Sequence, residues 1–371
     1  MQRIPNVARA LLVIAVVLVA GTALYITLGK EERMPARTLD ASLPKEALTE
    51  IAGNLEIPWD IAFIDDGLLV SERTGNVELI RADGSRKEIP IEGVHDRGEG
   101  GLLGLTLHPD FKRTGYVYLY MSSPAQDGTT NRIVRYRYED EALTEDRVIL
   151  EGIPGAIYHD GGRMEFGPDG YLYVTTGDAT EPSIAQDLSS LGGKILRMTD
   201  DGAPAPGNPY DSLIYSYGHR NPQGLAWDAA GRLWSTEHGR SGVQSGLDEI
   251  NLIEAGANYG WPTIEGDAEE EGMRTPARHS GTRDTWAPAS LVYHKGSLYF
   301  GGLRGEALYE AVLDGTRVTE VKEHFAETYG RIRTVRLSPD GYLYITTSNR
   351  DGRGNADDAD DRIIRVDPAS L

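Results

Sequence analysis

The sequence predicts an all-β protein, a six-bladed β-propeller preceded by an N-terminal transmembrane or signal helix. Three observations carry this: a hairpin pattern that recurs six times, a further apolar strand after every hairpin, and a turn-rich composition. Of 371 residues, 44 are glycine and 19 proline, and tyrosine, at 19, is the dominant aromatic. Short apolar runs bounded by Gly, Asp and Asn are what short strands joined by tight turns require.

The chain opens with Arg3 and Arg9, followed by ALLVIAVVLVAGTALYITLG (10–29) without a charge, and then KEER. Twenty uncharged, mostly apolar residues suffice to cross a bilayer as a helix, and the preceding arginines favour an N-terminus inside. Gly21-Thr22-Ala23 offers the competing reading of a cleaved signal peptide. The retained anchor is favoured because the apolar run continues past that point through Leu28. Either way the body of the protein is expected to be exported, on an extracellular or periplasm-like face. Residues 30–45 read as a polar linker, and 46–371 as the propeller domain.

GPDGYLYVTTGD (167–178) is nearly repeated as SPDGYLYITTSN (338–349). Looser copies stand at FIDDGLLVSERTG (63–75), HPDFKRTGYVYLYMSS (108–123), WDAAGRLWSTEHG (227–239) and YHKGSLYFGGL (293–303). Each joins two alternating strands across a glycine-containing turn. A third run follows every hairpin: NVELIRADG, NRIVRYRYED, KILRMTDDG, DEINLIEAG, ALYEAVLDG and RIIRVDP. A period of roughly 45–65 residues with three or four strands is that of a propeller blade, whose faces are buried only by neighbouring blades. Two stacked sandwiches do not explain a sixfold count. The sixth blade reaches Leu371 without a fourth strand, whereas EALTEIAG (46–53) precedes the first hairpin alone. This N-terminal strand is therefore expected to close the ring at the outer edge of blade six.

In such a ring the loops leading into the innermost strands share one face. They read GEGGLLGL (98–105), YHDGGRMEF (158–166), GHRNPQGLAW (218–227) and GRIRTVRL (330–337), and bring Glu99, His159, Asp160, His219, Arg220, Asn221, Arg331 and Arg333 towards one axis. Arg331 and Arg333 flank Ile332 and so point to one side of their strand. Guanidinium groups gathered in a channel call for an anionic ligand, since they repel one another until a carboxylate or phosphate neutralises them. Arg220, and Arg304 in FGGLRGE, are placed to join them. His159 beside these cations is a candidate general base, and Asp178, in TTGDA, a candidate to hold its tautomer; a turn cap is the competing reading of that aspartate.

These stretches, together with DEINLIEAGANYGWP, resemble the soluble PQQ-dependent glucose and aldose sugar dehydrogenases, over about residues 50–368. The resemblance implies a six-bladed propeller holding pyrroloquinoline quinone (PQQ) and calcium (Ca2+), an aldose sugar as substrate, and a lactone as product. It implies that His159 takes the proton of the anomeric hydroxyl while hydride passes to the quinone, and that Asp178 orients His159. It further implies Arg220 and Asn221 at the reactive carbonyl, and Arg331 and Arg333 on the cofactor carboxylates. Glu99 stands where the glucose enzymes carry a cofactor-contacting glutamine, and a carboxylate there only accepts hydrogen bonds unless protonated. Arg304 stands where a lysine is common. The main-chain carbonyls of Gly239 and Arg240, in EHGRSG, match the calcium-binding turn, with Arg240 in place of a usual proline.

A formal net charge of −20 argues against nucleic acid as a partner, which needs a basic face to displace counterions. Acidic excess with lysine scarce beside arginine is expected of a surface adapted to high salt. The absence of cysteine excludes disulfides, thiolate metal sites and cysteine nucleophiles. The acidic runs GDAEEEG and NADDADD read as solvated surface, Trp261 as packing, and Asn349 as the ligand-facing residue of SNRDGRG. The competing functions are a calcium-dependent lactonase-type hydrolase and a non-catalytic extracellular ligand-binding propeller. Electrons are expected to leave to a membrane or periplasm-like acceptor.

Overall fold

A computed structural model describes residues 47–126, 128–242 and 245–371. The expected anchor at 10–29 and the linker at 30–45 lie outside the described residues. Among those described, no helix is long and apolar enough to cross a membrane.

Six four-stranded antiparallel sheets follow one another along the chain. Their innermost strands are Pro58–Ile64, Leu102–Leu107, Met164–Phe166, Pro222–Trp227, Pro288–His294 and Ile332–Leu337. Every third strand coincides with one of the six apolar runs counted in the sequence, from Asn76–Arg81 to Ile363–Val366. The blades are therefore the repeats. As expected, the ring is closed from the N-terminus: Leu48–Ala52 pairs antiparallel with Ile363–Val366 as the outer strand of blade six.

Packing explains the order. The middle strands are almost wholly buried on both faces, with Leu69, Leu119, Val174, Trp234, Phe300 and Ile345 at 0% exposure. One apolar cluster spans blades one and two, another blades two and three, and another blades four and five, so each sheet buries its faces only against its neighbours. The inner strands approach so closely that a Cβ on Gly104 of blade two would collide with the Gly162 carbonyl of blade three.

Below the channel mouth the axis is plugged. Asp60 of blade one, fully buried, receives Arg336 of blade six at 2.8 and 2.9 Å and lies 2.6 Å from Arg163 of blade three. Arg163 in turn lies over Trp59, 4.2 Å from its ring. A buried pair of this kind is costly to break from one side and ties three blades together. The plug leaves an opening at each end of the axis: one of about 520 Å³ where the inner strands end, lined by residues such as Phe63, Leu107, Trp227 and Tyr293, and a cleft on the face where the inner strands begin. The first described residues, at Ala47 and Leu48, lie at the opposite face, because Leu48 pairs with Val366 and Val366 with Leu343.

Candidate active site

The two-glycine turn ahead of blade three takes a left-handed backbone. His159, Gly161 and Gly162 have φ of 65, 66 and 103°, where only glycine is at ease. The turn lies directly on the end of the next strand: a Cβ on Gly177 would collide with the His159 carbonyl. HDGG and TGD are thus two halves of one packed unit, and they bring His159 to Asp178.

His159 Nδ1 lies 2.7 Å from Asp178 Oδ1. Asp178 is completely buried, and its oxygens also receive the Thr180 N–H at 2.8 Å and the Trp261 indole N–H at 2.8 Å. A carboxylate holding donors on both oxygens takes Nδ1 as a donor too, which leaves Nε2 as the proton-accepting atom of His159. The ring lines a cleft of about 320 Å³ at the channel mouth, within the range of about 300–1,000 Å³ usual for small-ligand sites.

Of the residues singled out in the sequence, Glu99, His159, Gly239, Arg240, Arg304 and Arg331 line this cleft. Asp178, Arg220 and Asn221 stand directly behind its wall, bonded to His159, to His238 and Ser241, and to His238 respectively, and Arg333 lies deeper, against Ser348. Asp160 and His219 do not join them. The Asp160 carboxylate turns into blade two, receiving the Asn131 amide at 3.0 Å, and burial pushes its carboxyl up to about 6. His219 is held between Ser216 Oγ and Glu237 Oε2 and stacks on Tyr259.

The expected cationic ring is divided. Arg331 is paired with buried Asp351 at 2.7 Å and donates to the Leu303 carbonyl, so its charge is balanced internally and not spare for a ligand. Arg240 is paired with Glu265. Arg220, Arg304 and Arg333 have no carboxylate within 4 Å among the described residues. Arg220 reaches only the His238 carbonyl at 3.4 Å and Ser241 Oγ at 3.1 Å, and Arg333 only Ser348 Oγ at 3.4 Å. Burial pulls the Arg220 guanidinium below its usual range, and burial followed by the nearby Arg331 and Arg73 lowers Arg333 to about 9 against the opposing pull of Asp351. Buried, unpaired guanidinium groups are the mark of a site that completes itself with an anion.

Glu99 departs from its expected role. Its Oε2 accepts the His159 backbone N–H at 3.1 Å, and its Oε1 pairs with Arg353 at 2.7 Å. Burial works against its charge, yet His238 and Arg353 outweigh burial and hold the carboxyl at about 2. Glu99 is therefore ionised and spent on the protein. Asn221 Oδ1 accepts from Gly161 N and Gln223 Nε2, while its Nδ2 is buried without a partner.

Three contributors were missed. Arg353, not Asn349, is the cleft residue of SNRDGRG, since Asn349 turns back to bond Arg331 N, the Tyr329 carbonyl and Asp360. Trp261 holds Asp178 and lies 5.4 Å from the Arg220 guanidinium. His238 lines the cleft with Nε2 buried and unpartnered, and burial, with Arg220 and Arg333, pulls its imidazole down to about 4 despite Asp248 and Glu99. The repeat did not mark it: His238 directly follows its strand Leu233–Glu237, the place Gly177 takes after Leu172–Thr176, one residue before the equivalent of Asp178.

The arrangement joins a proton acceptor to a binding floor with spare positive charge and two orphan polar atoms, Asn221 Nδ2 and His238 Nε2. An anionic ligand that also bonds through oxygen or nitrogen atoms satisfies that set. The sequence profile of the Glucose / Sorbosone dehydrogenase family matches residues 55–356. The chain is 33% identical to the aldose sugar dehydrogenase YliI of Escherichia coli, over 80% of this chain and 89% of that protein. A putative oxidoreductase (glucose dehydrogenase) of Thermus thermophilus is similar in structure at TM-score 0.81 and 47% identity, covering 86% of this chain and 99% of that one. The PQQ-bound aldose sugar dehydrogenase of Streptomyces coelicolor is similar at TM-score 0.80 and 41% identity, covering 88% and 99%. On its profile, its relatives and its six-bladed ring, the chain belongs to the glucose/sorbosone dehydrogenase family.

Proposed function

We propose that this protein oxidises aldose sugars at the anomeric carbon to lactones, with PQQ as the bound oxidant and His159 as general base. One observation carries the reading: a His–Asp pair faces the same cleft beside which Arg220 and, deeper, Arg333 lie buried with no counter-ion among the described residues. The PQQ-bound Streptomyces relative supports the identity of the anion.

Bound there, PQQ supplies a two-electron acceptor for the hydride that leaves the sugar's anomeric carbon. Arg220, Arg304 and Arg333 balance carboxylate charge, and the Asn221 amide and His238 imidazole offer bonds to ligand oxygen or nitrogen. His159 Nε2 takes the hydroxyl proton, and Asp178 steadies the imidazolium that results. Arg220, desolvated and short of partners, would stabilise negative charge developing on a ligand oxygen.

Calcium enters this reading through the turn at Gly239 and Arg240. Among the described residues no donor reaches the Gly239 carbonyl, and the Arg240 carbonyl holds only the Gly246 N–H at 3.4 Å. Asp248 beside them is spent on Gly239 N, Thr285 Oγ1, Trp286 N and Ala287 N, so a cation here takes main-chain oxygens and draws its charge balance from the bound anion. The lactonase reading calls for free side-chain carboxylates at the channel floor, and Glu99 and Asp248 are both engaged. For residues 10–29 the reading is export with a membrane anchor, and the acceptor that takes electrons onward lies outside the cytoplasm.

Purified chain supplied with PQQ and calcium is expected to reduce an artificial dye when given aldoses and to release lactone. His159→Ala is expected to lose about 10²–10⁴-fold in turnover while still binding PQQ. Dye reduction that does not depend on PQQ, or a His159→Ala enzyme of undiminished turnover, would overturn the reading.

A further inference from the structure

We propose that Trp261 is a positioning residue for the His159–Asp178 pair, its indole N–H fixing the carboxylate that orients the base. The proposal rests on the reading of His159 as base. Asp178 is completely buried, so each of its oxygens must find its donors within the protein. Oδ1 has His159 Nδ1 and Thr180 N; for Oδ2 the only donor among the described residues is Trp261 Nε1, at 2.8 Å. Without that N–H the carboxylate keeps one oxygen buried and unpaired.

The indole is itself held from behind. Trp261 N donates to the Gly218 carbonyl at 2.9 Å, and the Trp261 carbonyl accepts from Gln186 Nε2 at 2.7 Å. Gln186 and Asn258 exchange two amide hydrogen bonds, at 3.0 and 2.8 Å. This clamp ties a loop of blade four to blade three, and packing alone does not call for such a directed N–H. The ring also lies 5.4 Å from the Arg220 guanidinium, so one side chain touches both the acid–base pair and an unpaired cation.

The sign of the effect follows from charge. A donor on Oδ2 draws off part of the carboxylate's charge; removing it strengthens the pull of Oδ1 on the His159 Nδ1–H and favours the protonated imidazole. The other charged or titratable groups around His159 include Glu99 at its backbone N–H, Arg353 paired with Glu99, the neighbouring Asp160, His238 on the cleft wall, and Arg220, whose carbonyl receives the Asp178 N–H. Trp261→Phe keeps a ring beside Arg220 and leaves all of them in place.

In the cofactor-free protein, the His159 Nδ1 proton resonance of Trp261→Phe is expected downfield of wild type by NMR. In the PQQ-loaded protein, kcat is expected to fall roughly tenfold with aldose KM little changed, and the acid limb of the pH profile to move to higher pH. An unchanged resonance together with an unchanged kcat and acid limb would overturn the proposal. If wild type itself oxidises no aldose, the functional reading fails while the NMR arm still decides whether Trp261 positions the pair. Should Trp261→Phe not fold, Gln186→Leu, which loosens the clamp, is expected to lower kcat in the same way, and wild-type turnover in that variant would count against the clamp.

Discussion

At the scale of residues, the site works by dividing charge between groups that are spent and groups that are spare. Glu99 is the clearest case, because its carboxylate faces a cleft read here as anion-binding. Held at about 2, it stays charged at any working pH, and Arg353 offsets it. Glu99→Gln keeps an acceptor for the His159 N–H, removes the negative charge and frees Arg353. It is expected to tighten PQQ binding several-fold in a fluorescence titration; weaker binding would show that Glu99 itself recognises the ligand. His159, Asp178 and Arg220 were legible in the sequence because they sit at repeat positions that a ring must bring together. Trp261 was not: it lies in the long connection after the third strand of blade four, outside the repeated segments, and a tryptophan beside proline gives no hint of which acceptor its N–H finds. Arg353 was overlooked for Asn349 because the repeat fixes where a strand ends and not where the following loop turns back.

At the scale of elements, blade four carries an unusual burden. Glu237 and Glu249 lie directly opposite on neighbouring strands, and burial followed by the Glu237 charge pushes the Glu249 carboxyl up to about 8. In blade one, burial likewise raises Glu72 to about 7. A carboxyl that holds its proton more tightly in the folded chain favours folding fully below its unfolded value, near 4.5, and that contribution is lost as pH rises through 7 to 8. Thermal stability is therefore expected to decline from mildly acidic to mildly alkaline pH. Glu249→Gln removes the buried charge, and its amide can serve the unpartnered Asn251 Oδ1 once that amide is turned. At pH 8.5 it is expected to raise Tm by roughly 2–5 °C and at pH 5 to change it little; equal effects at both would exclude Glu249 as the source. None of this was legible from alternation alone, because the pattern of a strand does not say which carboxylates face each other.

At the scale of the whole molecule, the ring was legible almost entire. Six hairpins and six following runs can bury their faces only against one another, and an unpaired strand at 46–53 had one edge left to fill. The location of the site at the start of the inner strands followed from that closure, since residues more than two hundred apart in sequence meet only there. What closure did not specify is the plug of Asp60, Arg163 and Arg336, which divides the channel into two separate openings. The net charge of −20 is spread over a surface whose self-repulsion falls with ionic strength. Tm is expected to rise steadily with added potassium chloride to about 1 M, well beyond ordinary screening at ~0.15 M. A Tm indifferent to salt would remove the high-salt reading without touching the site.

For the proposed chemistry the spare cations and the His159–Asp178 pair must form one working cleft. The most direct test is an absorbance titration of PQQ into the purified chain, followed by addition of an aldose. Saturation at one quinone per chain is predicted, with a spectral change to the reduced form on adding sugar that is about 10²–10⁴-fold slower in His159→Ala, which binds the quinone equally. Failure to bind the quinone, or reduction at the same rate in both proteins, would contradict it.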